Sequence, residues 1–252
     1  GEKQMILERL KQKNIIVTGG TQGLGRGIAL RLAEEGAAGI AICGRNRENG
    51  DTAAEEIRTA GSGRTGCLYI PADLRSEEEC RKVVREAVTR FGTLHGLVNA
   101  AGITTQGTIE ETPIELWDEI FAVNARAPFI LIQETVLHMQ KSGIRGSIVN
   151  IISDTAHCGQ PVLAAYSSSK GALLTLTKNV ANSQLRHRIR SNGICIGWTD
   201  TPNEHKAQLA AGEPEDWLEI AERQQPFGRL LKPRDIAALT AYLLSDEAEM
   251  MT

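Results

Sequence analysis

The sequence predicts an α/β protein with a single Rossmann-like architecture: one doubly wound parallel sheet with helices on both faces. Short β-branched runs alternate with longer amphipathic stretches along all 252 residues, the pattern of parallel strands joined by crossover helices. Hydrophobic residues make up 41% of the chain, enough to bury a sizeable core at this length. No linker or low-complexity tract interrupts the alternation, so residues 1–252 read as one domain.

The elements follow in order. Residues 14–18 read as a buried strand, and 23–36 as a helix ended by Gly36. Residues 39–43 form the second strand, about 48–60 a helix, and 67–70 the third strand. Ser76 followed by Glu77, Glu78 and Glu79 predicts a capping box, with acids on the positive end of the helix dipole. Residues 94–99 are the fourth strand. Thr112, Pro113, Ile114 and Glu115 predict a second capping box, opening a helical region to about 141. Strand five is expected at 146–152, a helix at 163–186 and strand six at 189–196. Residues 199–225 are polar and read as a loop or small helices before a last helix at 233–245.

Composition narrows the function. A net charge of −3, a pI near 6.0 and 4% aromatic residues offer nothing to nucleic acid. No run approaches the length of a membrane span, and residues 1–5 lack an apolar signal core. The cysteines, Cys43, Cys67, Cys80, Cys158 and Cys195, form no C-x-x-C pair, and five is an odd number. They are expected to be buried and reduced, as in a cytoplasmic protein, and no metal site is expected.

The chemistry starts at the first strand-to-helix turn, residues 18–25, T-G-G-T-Q-G-L-G. Glycine there serves either a tight turn alone or the close approach of backbone N–H groups to a pyrophosphate. Its position strictly between strand and helix favours the nucleotide. No lysine follows to reach a terminal phosphate, which argues against an NTPase. At the end of strand two, Gly44 stands where an NAD site usually carries an acid, and Arg45 can hold a 2′-phosphate; NADP(H) is favoured, with NAD(H) open.

Ser153 directly follows strand five, and Tyr166 and Lys170 lie one turn apart on the next helix. Hydride transfer to a carbonyl carbon leaves an alkoxide that needs a proton, and a phenol can give it. A nearby ammonium is expected to lower the phenol's pKa, while Ser153 steadies the substrate oxygen. A serine nucleophile with His157 as base would make an ester hydrolase, but the G-x-S-x-G context is missing and residues 154–157 read as a loop.

With these motifs in this order, the sequence resembles the short-chain dehydrogenase/reductase family over nearly its whole length. The resemblance implies that Gly19, Thr21, Gln22, Gly23, Leu24 and Gly25 belong to the cofactor turn. It implies that Asp73, beside Leu74, meets the adenine. Asn99, Ala100, Ala101 and Gly102 are similar to its N-N-A-G motif, with Ala100 replacing the second asparagine. Asn124 would hold a water in a relay to Lys170, and Asn124, Ser153, Tyr166 and Lys170 would form the catalytic tetrad. Tyr166 and Lys170 would also contact the cofactor, Lys170 through the nicotinamide ribose. Gly197, after Ile196 where relatives usually carry proline, and Thr201 would border the nicotinamide. Relatives usually continue into a seventh strand, so that edge strand is expected to be missing here. A homotetramer or homodimer through the 112–141 and 163–186 helices is implied.

Substrate contacts are expected from Ser153, His157, Gln160, Tyr166 and Trp198. Asp154 and the polar residues Glu204, His205, Lys206, Gln208, Glu213 and Asp216, with Trp217, lie in the same two segments. That polarity suggests a small hydroxylated carbonyl or alcohol substrate such as a sugar or polyol. A 3-oxoacyl thioester reductase and a non-catalytic nucleotide-binding regulator remain as alternatives.

Overall fold

The computed structural model describes residues 8–252, so residues 1–5 and the absence of a signal core in them lie outside the described residues. Strands β1 (Asn14–Thr18), β2 (Gly39–Gly44), β3 (Gly66–Pro71), β4 (Gly96–Asn99), β5 (Ser147–Ser153) and β6 (Arg190–Ile196) form one sheet. All pairings are parallel, in the order β3-β2-β1-β4-β5-β6. The chain reverses its direction of travel across the sheet between β1 and β4, and the crevice at that switch point is where such sheets bind ligands. The register puts Thr18, Asn99 and Asn150 side by side across the carboxyl ends.

Alternation along the strands builds two cores. Ile15 and Val17 point to a cluster under the helices α1 (Gly23–Glu34), α2 (Arg47–Ala60) and α10 (Pro233–Leu244). Ile16 points to the opposite cluster, under α3 (Glu77–Phe91), α5 (Ala127–Ser142) and α7 (Ala164–Ser183). With both faces covered, the strands need continuous apolar runs, as the sequence has.

The helical region after residue 112 is not uniform. It runs as α4 (Ile114–Phe121), a π turn (Ala122–Arg126) and then α5. Among the described residues this stretch alone is long and apolar enough to cross a membrane, but 61% of its apolar window is buried inside the fold. The predicted capping box at 112–115 does not form. Pro113 is the N-cap, without a side-chain cap, and the Thr112 hydroxyl donates to the Thr108 carbonyl instead (2.6 Å). At α3 the Ser76 hydroxyl does accept from the Glu79 N–H, while the Glu79 carboxylate turns to the Asp73 N–H. The segment after Ser153, read as a loop, contains one helical turn, α6 (Thr155–Cys158). The polar 199–225 region holds α8 (Pro202–Ala210) and α9 (Trp217–Gln224).

Cys43, Cys67 and Cys80 are buried, but Cys158 and Cys195 are exposed, contrary to expectation. Cys195 lies on β6, at an edge of the sheet among the described residues. No group of three or more His, Cys, Asp and Glu side chains is placed to hold a metal among the described residues.

Candidate active site

The glycine turn leads from β1 into α1. Gly19 has φ +65°, and a Cβ there would come within 3.0 Å of the Ala101 Cα, so the turn lies directly on the segment after β4. A Cβ on Gly25 would collide with the Gly19 carbonyl, so the helix start is also closed against the turn. Thr18 ties these pieces together, its Oγ1 accepting from the N–H groups of Ala100 (3.0 Å) and Ala101 (3.1 Å). Gln22 is the N-cap of α1 without a side-chain cap bond. Its amide donates to Asn203 Oδ1 on α8 (3.1 Å). The first N–H groups of α1 are left facing the cavity mouth without a side-chain partner, a ready anion site.

At the end of β2 a Cβ on Gly44 would lie 2.7 Å from Thr21 Oγ1, so the threonine fills the room an acid's stem would need. Arg45 follows, exposed and at the cavity wall. Asp73 lies across from it, gripped by Arg75, whose Nε donates to both carboxylate oxygens (3.0 Å each). The Arg75 guanidinium holds the Asp73 carboxyl below the usual carboxylate range. Arg75 also lines the cavity, a contact the sequence reading missed because nothing local marks that arginine as turned inward.

Ser153 ends β5 and is buried. Its hydroxyl donates to Asp154 Oδ1 (3.1 Å) and accepts from Thr155 Oγ1 (3.0 Å). Tyr166 is half-buried on the first turns of α7. Burial pushes its phenol above the ordinary value, hydrogen bonding with Ser153 pulls it down, and the carboxylates of Asp154 and Glu204 push it up again. The expected lowering by a neighbouring ammonium is therefore not what dominates here: desolvation wins. Lys170 lies 5.8 Å from the Tyr166 ring centroid, and its Nζ donates to the Ile151 carbonyl (2.8 Å). Burial lowers the Lys170 ammonium to about 8.

Asn124 sits fully buried in the π turn, a feature often found at functional sites. Its amide brackets Ile103, accepting from the N–H (2.8 Å) and donating to the carbonyl (2.9 Å), and it also donates to Ser169 Oγ (3.1 Å). A Cβ on Gly102 would meet Asn124 Oδ1 at 3.5 Å and Lys170 Nζ at 3.6 Å, so both groups border the same small space.

One cavity of about 650 Å³ joins these parts. It is lined by the predicted residues of the glycine turn, by Arg45, Asp73, Leu74, Ala100, Ala101, Gly102, Gly197 and Thr201, and by Ser153, Gln160, Tyr166, Lys170 and Trp198. Three predicted residues lie outside its wall. Asn99 is buried behind it, donating to Asn150 Oδ1 (2.8 Å), and Asn124 stands one layer back. His157 is turned away by the helical turn of α6, with Nε2 3.5 Å from Cys195 Sγ, so the expected substrate contact is corrected. Thr155 and Asn203 line the cavity without having been singled out, because their roles depend on α6 and α8, which no periodicity announced.

A glycine turn packed too closely for side chains at Gly19 and Gly25, an uncapped helix start and an arginine at the cavity wall suit a dinucleotide's phosphates and ribose. The fold and this cavity place the chain among the nicotinamide-dependent oxidoreductases. Residues 19–252 match the family model described as enoyl-(acyl carrier protein) reductase. The chain is 36% identical to the 2,5-dichloro-2,5-cyclohexadiene-1,4-diol dehydrogenase of Sphingobium indicum over 97% of its length and 93% of the relative's. It is 32% identical to the NADP-dependent (R)-specific alcohol dehydrogenase of Lentilactobacillus kefiri, covering 97% and 94%. A crystal structure of a protein from Sinorhizobium meliloti 1021 superimposes with TM-score 0.88 at 31% identity, covering 98% of this chain and 94% of that one. This chain belongs to the short-chain dehydrogenase/reductase family, and its activity is hydride transfer between a nicotinamide cofactor and a carbonyl or alcohol carbon.

Proposed function

We propose that the chain is an NADP(H)-dependent oxidoreductase that interconverts small hydroxylated carbonyl compounds, such as sugars, and the corresponding alcohols, such as polyols. The observation that carries this reading is the meeting of Tyr166, Lys170 and Ser153 with the glycine turn around one cavity. The bound cofactor supplies the hydride.

Tyr166 gives the proton to the substrate oxygen. Its phenol is held protonated by burial, which suits a donor in carbonyl reduction. Ser153 shares its hydroxyl proton with the same oxygen and stabilises the charge that develops there, exchanging its bond to Asp154 for the substrate. Thr155 keeps that hydroxyl aligned from behind. Lys170 would hold the nicotinamide ribose, and its ammonium steadies the phenolate left after proton transfer. Asn124, fixed by Ile103 and Ser169, positions a water that returns a proton toward Lys170.

Cofactor choice follows from Arg45, free to meet a 2′-phosphate, and from Thr21 filling the place of an acid. Asp73 and Leu74 would flank the adenine, and Gly197 and Thr201 the nicotinamide, since all four line the cavity. The NADP dependence of the Lentilactobacillus relative supports the same choice. Exposed Ile114 on α4, with Phe129 and Leu137 on α5, supports association into a homodimer or homotetramer. The deciding experiment is an absorbance screen of sugars, polyols, ketones and a 3-oxoacyl thioester with both nicotinamides. Turnover of hydroxylated carbonyls with NADPH supports the reading. Activity confined to the thioester, or faster with NADH, rejects it.

A further inference from the structure

The hydrogen bonds around the Ser153 hydroxyl fix what a substrate must offer it. A carboxylate only accepts, so the bond to Asp154 Oδ1 (3.1 Å) spends the single serine proton. Thr155 fills the other side. Its hydroxyl (3.0 Å) and its backbone N–H (3.3 Å) both donate to Ser153 Oγ, occupying the two acceptor positions that a hydroxyl has. Ser153 and Thr155 are both buried. Ser153 can therefore give a proton to a substrate oxygen but has no position left to accept one.

Asp154 stands at the cavity wall, its backbone N–H held by the Ile196 carbonyl (3.0 Å) at the end of β6. Its Oδ2 lies 3.7 Å from the place a Cβ on Gly197 would take, and Gly197 lines the cavity too. Among the described residues, Ser153 is the only side chain that donates to this carboxylate. A plain ketone that draws the serine proton leaves Asp154 without its partner. A ketone with a hydroxyl on the neighbouring carbon does not, because that hydroxyl can donate to the oxygen Ser153 has left. Oxygens on adjacent carbons lie about a hydrogen bond's length apart, which matches the 3.1 Å from Ser153 Oγ to Asp154 Oδ1.

We propose that Asp154 is a specificity-determining residue and that the substrate is an α-hydroxy carbonyl compound, whose carbonyl oxygen accepts from Ser153 while the neighbouring hydroxyl donates to Asp154. The carbonyl becomes an alcohol with the cofactor's hydride and the Tyr166 proton. The neighbouring hydroxyl is untouched, so the product is a vicinal diol. Thr155 leaves Ser153 no acceptor position for that hydroxyl, which directs it to the carboxylate. The exchange keeps the number of hydrogen bonds at the wall constant, whereas a ketone lacking the hydroxyl loses one.

This inference rests on the hydride-transfer reading above but fails separately from it. Hydroxyacetone and phenacyl alcohol are compared with butanone and propiophenone, in which a methyl group replaces the hydroxyl. Nicotinamide absorbance reads kcat and KM with each cofactor. The wild type is expected to favour each hydroxy ketone over its methyl counterpart by about tenfold or more in kcat/KM. Asp154→Ala should move the two kinds of compound in opposite directions. The hydroxy ketone loses its partner, and the plain ketone gains because Ser153 no longer has to leave a carboxylate. A merely structural role would lower both together. Asp154→Asn keeps a neutral acceptor and should fall between. Equal use of both kinds by the wild type, or parallel losses in Asp154→Ala, overturns the assignment and leaves the hydride-transfer reading standing. Hydride transfer to no carbonyl compound sinks that reading instead. Titration of the NADP-saturated protein with propylene glycol and sec-butanol, followed by tryptophan fluorescence, then decides the Asp154 contact. Tighter glycol binding that Asp154→Ala abolishes supports it, and equal binding overturns it.

Discussion

Lys170→Met should stabilise the protein at neutral pH and remove its activity. The side chain is buried at the cavity wall, and burial lowers the ammonium from 10.5 to about 8, which corresponds to about 3 kcal/mol of cost for keeping it charged. Methionine fills much of the same volume without that cost. It loses the bond from Nζ to the Ile151 carbonyl, worth about 1 kcal/mol. The net gain is about 2 kcal/mol, or roughly 4–8 °C in Tm for a chain of this size. The pH dependence has a definite sign. Below about pH 8 both folded and unfolded wild type carry the proton, and the cost is paid in full. Between about 8 and 10.5 the unfolded chain binds more protons than the folded one, so wild-type stability rises with pH and the gap closes. Thermal unfolding of both proteins at about pH 7 and about pH 10 tests this. A variant less stable than wild type at neutral pH, or a gap equal at both values, refutes the reasoning.

Tyr166→Phe should lower turnover by about a hundredfold or more while cofactor affinity stays within about twofold, read by single-turnover kinetics and cofactor titration. Because burial raises the Tyr166 phenol, carbonyl reduction should be nearly flat from about pH 6 to 7 and fall as the Lys170 ammonium loses its proton at about 8, whereas alcohol oxidation should first climb with pH; parallel profiles in the two directions would contradict the assignment. Arg45→Ala should weaken NADP(H) by about tenfold and NAD(H) little, and an equal loss for both would reject the 2′-phosphate contact. Thr18→Val strips the acceptor from the Ala100 and Ala101 N–H groups and should cost about 2–4 kcal/mol by urea unfolding; a loss below 0.5 kcal/mol, taken as roughly the effect of an ordinary surface change, would mean those groups find other partners. Light scattering should find a dimer or tetramer, and Phe129→Glu should shift it toward monomer.

Local pattern made much of the molecule legible. The apolar run at 14–18 is β1, the alternation beyond it gives the parallel sheet, and the T-G-G-T-Q-G-L-G turn falls between strand and helix as expected. Tyr166 and Lys170 lie one turn apart because helix geometry leaves them no other choice. Readings that needed the surroundings of a side chain fared worse. The Thr112 hydroxyl went to Thr108, since a turn just upstream offered a closer acceptor than the helix start. His157 faces Cys195 because one helical turn, too short to leave a periodic signature, rotates it out of the cavity. Asn99 sits behind the wall because register sets it opposite Asn150.

The sequence by itself determined the order of strands and helices and the glycine turn, and it singled out Ser153, Tyr166 and Lys170, which the fold brings to one cavity. These depend on dihedral preferences, on periods of two and 3.6 residues, and on residue type, all written in neighbouring positions. Only the tertiary structure decided which way the Tyr166 phenol is pushed, that Arg75 joins Asp73 at the cavity wall, and that α8 brings Glu204 to the same cavity as Tyr166. Burial and electrostatic potential are sums over groups distant in the chain, and only their assembly in three dimensions sets them.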